Sequence, residues 1–296
     1  MIQKFSMGML RAIAAILFFA MACGILSGCG AARLAYGNGE SLSYWWFDGY
    51  VDFDLEQESA IKEDIAELFA WHRETQLPEY VRLLASVEKR LQRDVTLSEI
   101  NADVADFRRR LRVMTDRAAP SLADLALSMS PDQLVHLQEK FVSKNAAYRK
   151  QNLRGDVEER QQRRYKKVLE QAEYWFGDFT DEQEARIRAA SDARPLNPEL
   201  VYADRLQRQT AMVTMLQKIQ AEKPDRNMAI KLISSYTDIE RQRLAIPERK
   251  AFFDGLNESN ARLAVLIIND ATPAQRAKAI ERVRQWRTDF SKMSRG

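Results

Sequence analysis

Two cysteines, two histidines and 11 glycines in 296 residues leave little material for most catalytic chemistry. Cys23 sits inside an N-terminal apolar run and Cys29 just after it, so the body of the chain has no disulfide and stability must come from packing. His72 and His136 are far apart, and neither has a second ligand at metal spacing such as i+4. No metal and no cofactor is therefore expected. A Gly-x-Ser-x-Gly elbow, a phosphate-cradling glycine loop and a cysteine nucleophile are all missing, and the chain is not expected to be an enzyme. Charge of one sign is missing too. Of 45 basic residues, Lys4 and Arg11 precede Cys29, which leaves 43 against 42 acidic ones. The pI near 8.8 thus gives no basic stripe for nucleic acid, and an export signal defeats the suggestion of Arg108-Arg109-Arg110.

Long apolar runs are also absent. The one candidate, Ala12 to Ile25, is about 14 residues, short of the roughly 17 to 25 that a spanning helix needs. It follows Lys4 and Arg11 with no acidic residue and ends at Leu26-Ser27-Gly28-Cys29, which together make the n-region, h-region and processing box of a lipoprotein signal peptide. The lipobox resembles that of bacterial lipoproteins. The resemblance implies cleavage before Cys29, a diacylglycerol on its thiol and acylation, with palmitate for example, of the new amine. Ala20-Met21-Ala22-Cys23 is a poorer box, lacking the leucine three residues before its cysteine. Several acyl chains hold a protein on a bilayer where one is marginal. Gly30 stands where lipoproteins retained in the inner membrane often carry Asp, so the expected address is the outer membrane, facing the periplasm.

Past residue 54 the composition is that of strong helix formers. Apolar residues recur at spacings of three and four, as in Ile61, Ile65, Leu68 and in Leu134, Leu137, Phe141. Ser130-Pro-Asp-Gln133, Thr180-Asp-Glu-Gln183 and Thr272-Pro-Ala-Gln275 place a hydroxyl at N-cap and glutamine at N3; Thr96-Leu-Ser-Glu99 is the glutamate form and Asp54-Leu-Glu-Gln57 a looser one. The fold class expected is all-α: an elongated multi-helix bundle of about eight to ten amphipathic helices after a cleaved signal peptide. Helices are predicted over 54–76, 79–93, 97–118, 121–129, 131–152, 156–176, 181–192, 198–222, 226–245, 248–269 and 273–293, some of them fused. The domain plan is a signal peptide at 1–28, an anchor and aromatic segment at 29–53, and a helical domain at 54–296 with a candidate subdivision at 194–198. Irregular intervals between the boxes argue against a strict solenoid.

Tyr44 to Phe53 holds six aromatics in ten residues. Tyr44, Trp45, Trp46, Phe47 and Tyr50 form either a plug folded back on the helices or a contact with lipid headgroups or a ligand. A second candidate is the cationic stretch that includes Arg160, Arg163, Arg164, Lys166 and Lys167, a solvated helix face or an attractor for anionic clients. Arg33-Leu-Ala-Tyr-Gly-Asn38, the aromatic segment, and Arg163-Arg164 through Trp175, Thr180 and Gln183 resemble an uncharacterised family of Gram-negative outer-membrane lipoproteins. That resemblance implies an all-helical lipoprotein and no activity. The boxes beginning Phe179-Thr180, Met129-Ser130 and Ala271-Thr272 are similar, more weakly, to the Leu-Thr-x-x-Gln boxes of periplasmic helical chaperones.

The function expected is a lipid-anchored, periplasm-facing binding protein, either a scaffold or a chaperone-like module. Its partners would be the membrane through Cys29, and envelope proteins or unfolded clients. The alternatives are an envelope hydrolase using paired carboxylates, Asp48, Asp52 or Glu residues on facing helices, with Asp54 nearby, or a structural tether with an apolar patch around Leu263, Leu266 and Ile267.

Overall fold

The computed structural model describes residues 29–237 and 246–295, with side chains described for 33–236 and 246–295. The described chain is helical throughout: α1 Cys29–Gly37, α2 Gly39–Val51, α3 Leu55–Trp71, α4 Leu77–Arg90, α5 Leu97–Ser128, α6 Pro131–Asn152, α7 Val157–Phe176, α8 Asp181–Asp192, α9 Pro198–Glu222, α10 Arg226–Thr237, α11 Pro247–Asp270 and α12 Pro273–Met293. They form an elongated all-α bundle. Three departures from the expected boundaries have local causes. Residues 29–51, expected as an anchor and aromatic segment, are helical, because the aromatics find cover on α3 and α6. Pro120 does not separate two helices but lies within α5, whose flanking Ala118, Ala119 and Ala123 are packed in the core. Pro78 likewise ends nothing: a π-helical turn, His72–Gln76, joins α3 to α4 and places the proline at the start of α4, where its missing N–H costs least.

All five boxes cap helices as the spacing predicts. Four of them also meet in pairs, which the spacing does not predict. Gln57 and Gln133 exchange side-chain hydrogen bonds, Nε2 of each donating to Oε1 of the other at 3.2 and 2.5 Å. Gln133 Nε2 also donates to the Asp52 carbonyl at 2.9 Å, and Gln57 Nε2 to the Ser128 hydroxyl at 3.1 Å and the Ser128 carbonyl at 3.4 Å. Gln183 and Gln275 repeat the arrangement, with 3.0 Å in both directions and carbonyl partners Asp270 at 2.8 Å and Asp178 at 2.7 Å. Each carbonyl used lies two residues before the partner's N-cap. All four glutamines are buried. The glutamate box behaves differently: Glu99 stays at the surface and takes Arg93, whose hydrogen bonds, with the Thr96 backbone next, hold its carboxyl down at about 2.

The two clasps belong to two similar halves. In the first, α2 packs on α3 and α6, and α3 on α5; in the second, α7 packs on α8 and α12, and α8 on α11. Counted from the clasp glutamine, equivalent positions are buried in all four helices: Ile61, Leu137, Ile187 and Ala279 one turn on, then Ile65, Phe141, Ser191 and Val283 a turn later. The two halves thus share the clasp geometry, the helix pairings around it and this burial pattern. The halves are joined by α4 lying along α12, where Glu88 takes both Arg284 and Arg287 at 2.6 Å and Tyr80 meets Phe290. One hydrophobic cluster runs from Tyr36 through Phe47, Phe69, Met114 and Leu137 to Trp286 and Phe290. A smaller one gathers Leu91, Phe176, Phe179, Ile187, Leu263 and Val283.

Two glycines matter to this packing. A Cβ on Gly39 would stand 2.5 Å from the Phe69 ring, so α2 can approach α3 this closely only without one. Gly177, with φ of 78°, ends α7 in the left-handed region and turns the chain so that Asp178 presents its carbonyl to Gln275.

Removing one clasp amide strands its partner's buried donor. Gln183→Ala is expected to cost about 3 kcal/mol of unfolding free energy, against about 1 for Thr180→Ala, which loses a cap alone. Replacing Gln183 and Gln275 together by leucine should cost less than the sum of the two single changes, measured by urea denaturation in a double-mutant cycle.

Candidate functional site

Antiparallel packing of α3 and α5 sets the geometry of an apolar groove. Gln57 meets Ser128, and about two turns away the Ser121 hydroxyl donates to Asp64 at 2.7 Å, so residue 68 of α3 faces residue 118 of α5. Between the two helices, floored by α2, lies a narrow groove open to solvent. Phe47, Phe53, Ile61, Ile65, Leu68, Ala118, Leu122 and Leu125 line it. Glu67 and Arg117 stand at the end away from the clasp, both exposed, and neither makes an ion pair or a hydrogen bond among the described residues.

The second half supplies an internal control. Positions equivalent to Ile65, Leu68 and Ala118, counted from the clasp glutamines, are Ser191, Arg194 and Asn260. There the Arg194 guanidinium donates to the Asn260 Oδ1 at 3.0 Å, the Ser191 hydroxyl at 2.8 Å and the Ser191 carbonyl at 3.1 Å. Burial pushes Arg194 down to about 10, with the neighbouring Arg164 adding to it. The counted positions are thus bridged by polar groups in one half, through an arginine just past the end of α8, and carry apolar side chains in the other.

The residues singled out in the sequence fall elsewhere. Cys29 begins α1, while Leu26, Ser27 and Gly28 lie outside the described residues. Phe47 and Tyr50 are buried in the large cluster; Trp46 packs against both, at ring distances of 5.1 and 4.6 Å; Tyr44 lies against Phe53 and under the Lys62 ammonium. Trp45 alone of the five faces solvent, at 67% exposure. The arginines of the cationic stretch are mostly spent on backbone. Arg160 donates to the Leu153 carbonyl and pairs with Glu199, Arg163 reaches the Arg154 carbonyl, and Arg164 holds the carbonyls of Arg194 and Pro195. Lys166 and Lys167 are exposed.

The carboxylates considered for acid and base work serve turns. Asp48 accepts from the Phe53 N–H, Asp52 sits at the α2 C-cap and Asp54 caps α3. Leu263 is buried, with Leu266 and Ile267 packed beside it, so they present no exposed patch. Among the described residues no three His, Cys, Asp or Glu side chains come together as a metal site, and no helix is long and apolar enough to cross a membrane.

A profile of a family of unknown function (DUF6279) matches residues 49–235. The chain belongs to that family. The matched span holds the first clasp, Gln183 of the second, and all of the groove except Phe47. None of the curated proteins compared and none of the solved structures matches the chain.

Next to the groove's helices, the π-turn buries His72. Its Nδ1 lies 2.8 Å from the Tyr36 hydroxyl, its Nε2 has no hydrogen-bond partner, and its ring lies against Tyr36 and Tyr80. Burial, and then Arg73, push it down to about 4. Above pH 6.5 both folded and unfolded chains carry this histidine neutral. Below it the unfolded chain takes up a proton that the folded chain refuses until about pH 4, so this contribution to stability is lost as pH falls between those values. The loss is expected to reach about 3 kcal/mol, and His72→Gln should flatten the pH dependence of urea unfolding by about one proton. An unchanged slope in that variant would show that the ring is not held neutral.

Proposed function

We propose that the protein is a lipid-anchored helical binding protein of the outer membrane, facing the periplasm, with Cys29 as its acylated residue and the α3–α5 groove as its binding surface. The observation that carries the binding part is the groove lined by apolar side chains at positions whose counterparts in the second half, counted from the clasps, are bridged by Arg194, Ser191 and Asn260. The lipobox at Leu26 to Cys29 supports the address.

A further feature fits an anchored chain. Helices α1 and α2 run on almost without a break, the Asn38 N–H reaching the Leu34 carbonyl and the Leu42 N–H the Asn38 carbonyl. Leu34, Leu42 and Trp45 fall on one side of this rod and are 69, 44 and 67% exposed. Leu34 stands only about 7.5 Å along the axis from Cys29. An apolar stripe at that remove from an acylated cysteine suits a helix lying at headgroup depth, with Trp45 in the interface. A scaffold or chaperone-like use of the bound state is compatible with this placement. The glutamine boxes lend no separate weight to a chaperone, since their side chains are consumed in the clasps.

Labelled palmitate is expected to enter the wild-type protein and Cys23→Ser, and to be absent from Cys29→Ser, which should also leave the membrane fraction. Equal labelling of the Cys29→Ser protein would overturn the anchor.

A further inference from the structure

We propose that the groove between α3 and α5 binds a single hydrocarbon chain carrying a zwitterionic head, the chain lying toward the clasp and the head between Glu67 and Arg117. The inference deepens the binding role proposed above and rests on it.

The groove's own layout argues for this ligand. From Arg117 to Leu125 the helix rises about 12 Å, somewhat less than the roughly 15 Å of one bilayer leaflet's hydrocarbon. Along that length the lining changes from charged to wholly apolar in one direction. At the outer end Glu67 and Arg117 offer one charge of each sign, both free of protein partners among the described residues. In the middle Asp64 is occupied by the Ser121 hydroxyl. At the inner end only Phe47, Phe53, Ile61 and Leu125 remain, beneath the Gln57–Gln133 clasp. A linear apolar chain fits that floor and can slide in from the open side, whereas a charged or branched group would meet no polar partner there. An anion alone would satisfy Arg117 and be repelled by Glu67, and a cation alone the reverse. Only a head bearing both charges satisfies the rim. The second half shows a polar alternative, since the residue counted as Leu68 is there Arg194, just past the end of α8, and it bridges Asn260 and Ser191.

The test uses the full chain held in amphipol, free of detergent, and titrated calorimetrically with three ten-carbon probes below their micellar concentrations. These are decylphosphocholine, decanoate and decyltrimethylammonium. Saturable one-to-one binding is expected, tightest for the zwitterion. Arg117→Gln and Glu67→Gln, both at exposed positions, should each weaken decylphosphocholine by up to about fivefold and narrow its advantage over the single-charge probes. Moving the second half's bridge into the first, as Ile65→Ser, Leu68→Arg and Ala118→Asn together, should weaken every decyl probe by at least about tenfold. Circular dichroism and the melting temperature establish that this variant folds; if it does not, the two rim variants alone decide.

Absence of saturable binding by any probe, or decanoate binding as tightly as the zwitterion, would overturn the proposal. So would an unfolded polypeptide such as reduced carboxymethylated α-lactalbumin binding where decylphosphocholine does not, which would make the groove a peptide site. The mass at Cys29 on the same preparation reads the anchor separately, so loss of one conclusion is distinguishable from loss of the other.

Discussion

A carboxamide carries a donor and an acceptor side by side, so it can pair face to face with an identical copy of itself. Two carboxylates offer only acceptors and two ammonium groups only donors, but two glutamines face to face exchange a donor and an acceptor each way. The structure rests on this property twice. In both clasps each Oε1 serves its own helix's N-cap and the opposite amide, and each Nε2 serves the opposite amide and a carbonyl just before the opposite cap. No hydrogen-bonding capacity is left over for water, which is why these four polar side chains can sit in the interior. The arrangement also fixes two helix starts against one another, and thereby the angle at which four helices leave each clasp. Everything packed outward from there inherits that angle.

Two halves built around the same clasp can differ in what lies beside it. The half containing Arg194 has turned the space beside its clasp into hydrogen bonds, and Arg164 reinforces it by reaching the carbonyls of the turn at residues 194–195. The other half keeps aliphatic residues at the counted positions, with Ile65 and Ala118 buried and Leu68 half-buried at the groove wall, while Asp64, Ser121, Glu67 and Arg117 keep the margin polar.

Helices were legible from spacing alone wherever an amphipathic stripe met a capping box, and their ends agree with the structure to within a residue or two over most of the chain. Pro78 and Pro120 misled because the penalty for a proline depends on what surrounds it: a widened turn in one case and an alanine-lined core in the other. The helical nature of residues 29–51 was hidden by aromatics and glycines with poor intrinsic propensity, which the body of the protein stabilises by covering them. The groove was invisible for a different reason. Glutamine at the third position of a cap reads as local chemistry, and nothing in a single box says which other box it will meet. Aligning the chain on its four glutamines would have set Leu68 against Arg194 and Ala118 against Asn260, and that contrast is the signal that spacing within one helix cannot carry.

The last helix has a position with consequences for how the molecule comes into being. α12 lies along α4, touches α1, and contributes Trp286, Phe290 and Met293 to the same interior as Tyr36 and Phe69, while Asp289 reaches Arg33 four residues from Cys29. A chain made from its N-terminus must therefore wait for α12 before the interior around α1 can close. Until then the unfinished half offers greasy surface to whatever accompanies it, and the tail acts as the bolt that ends that interval.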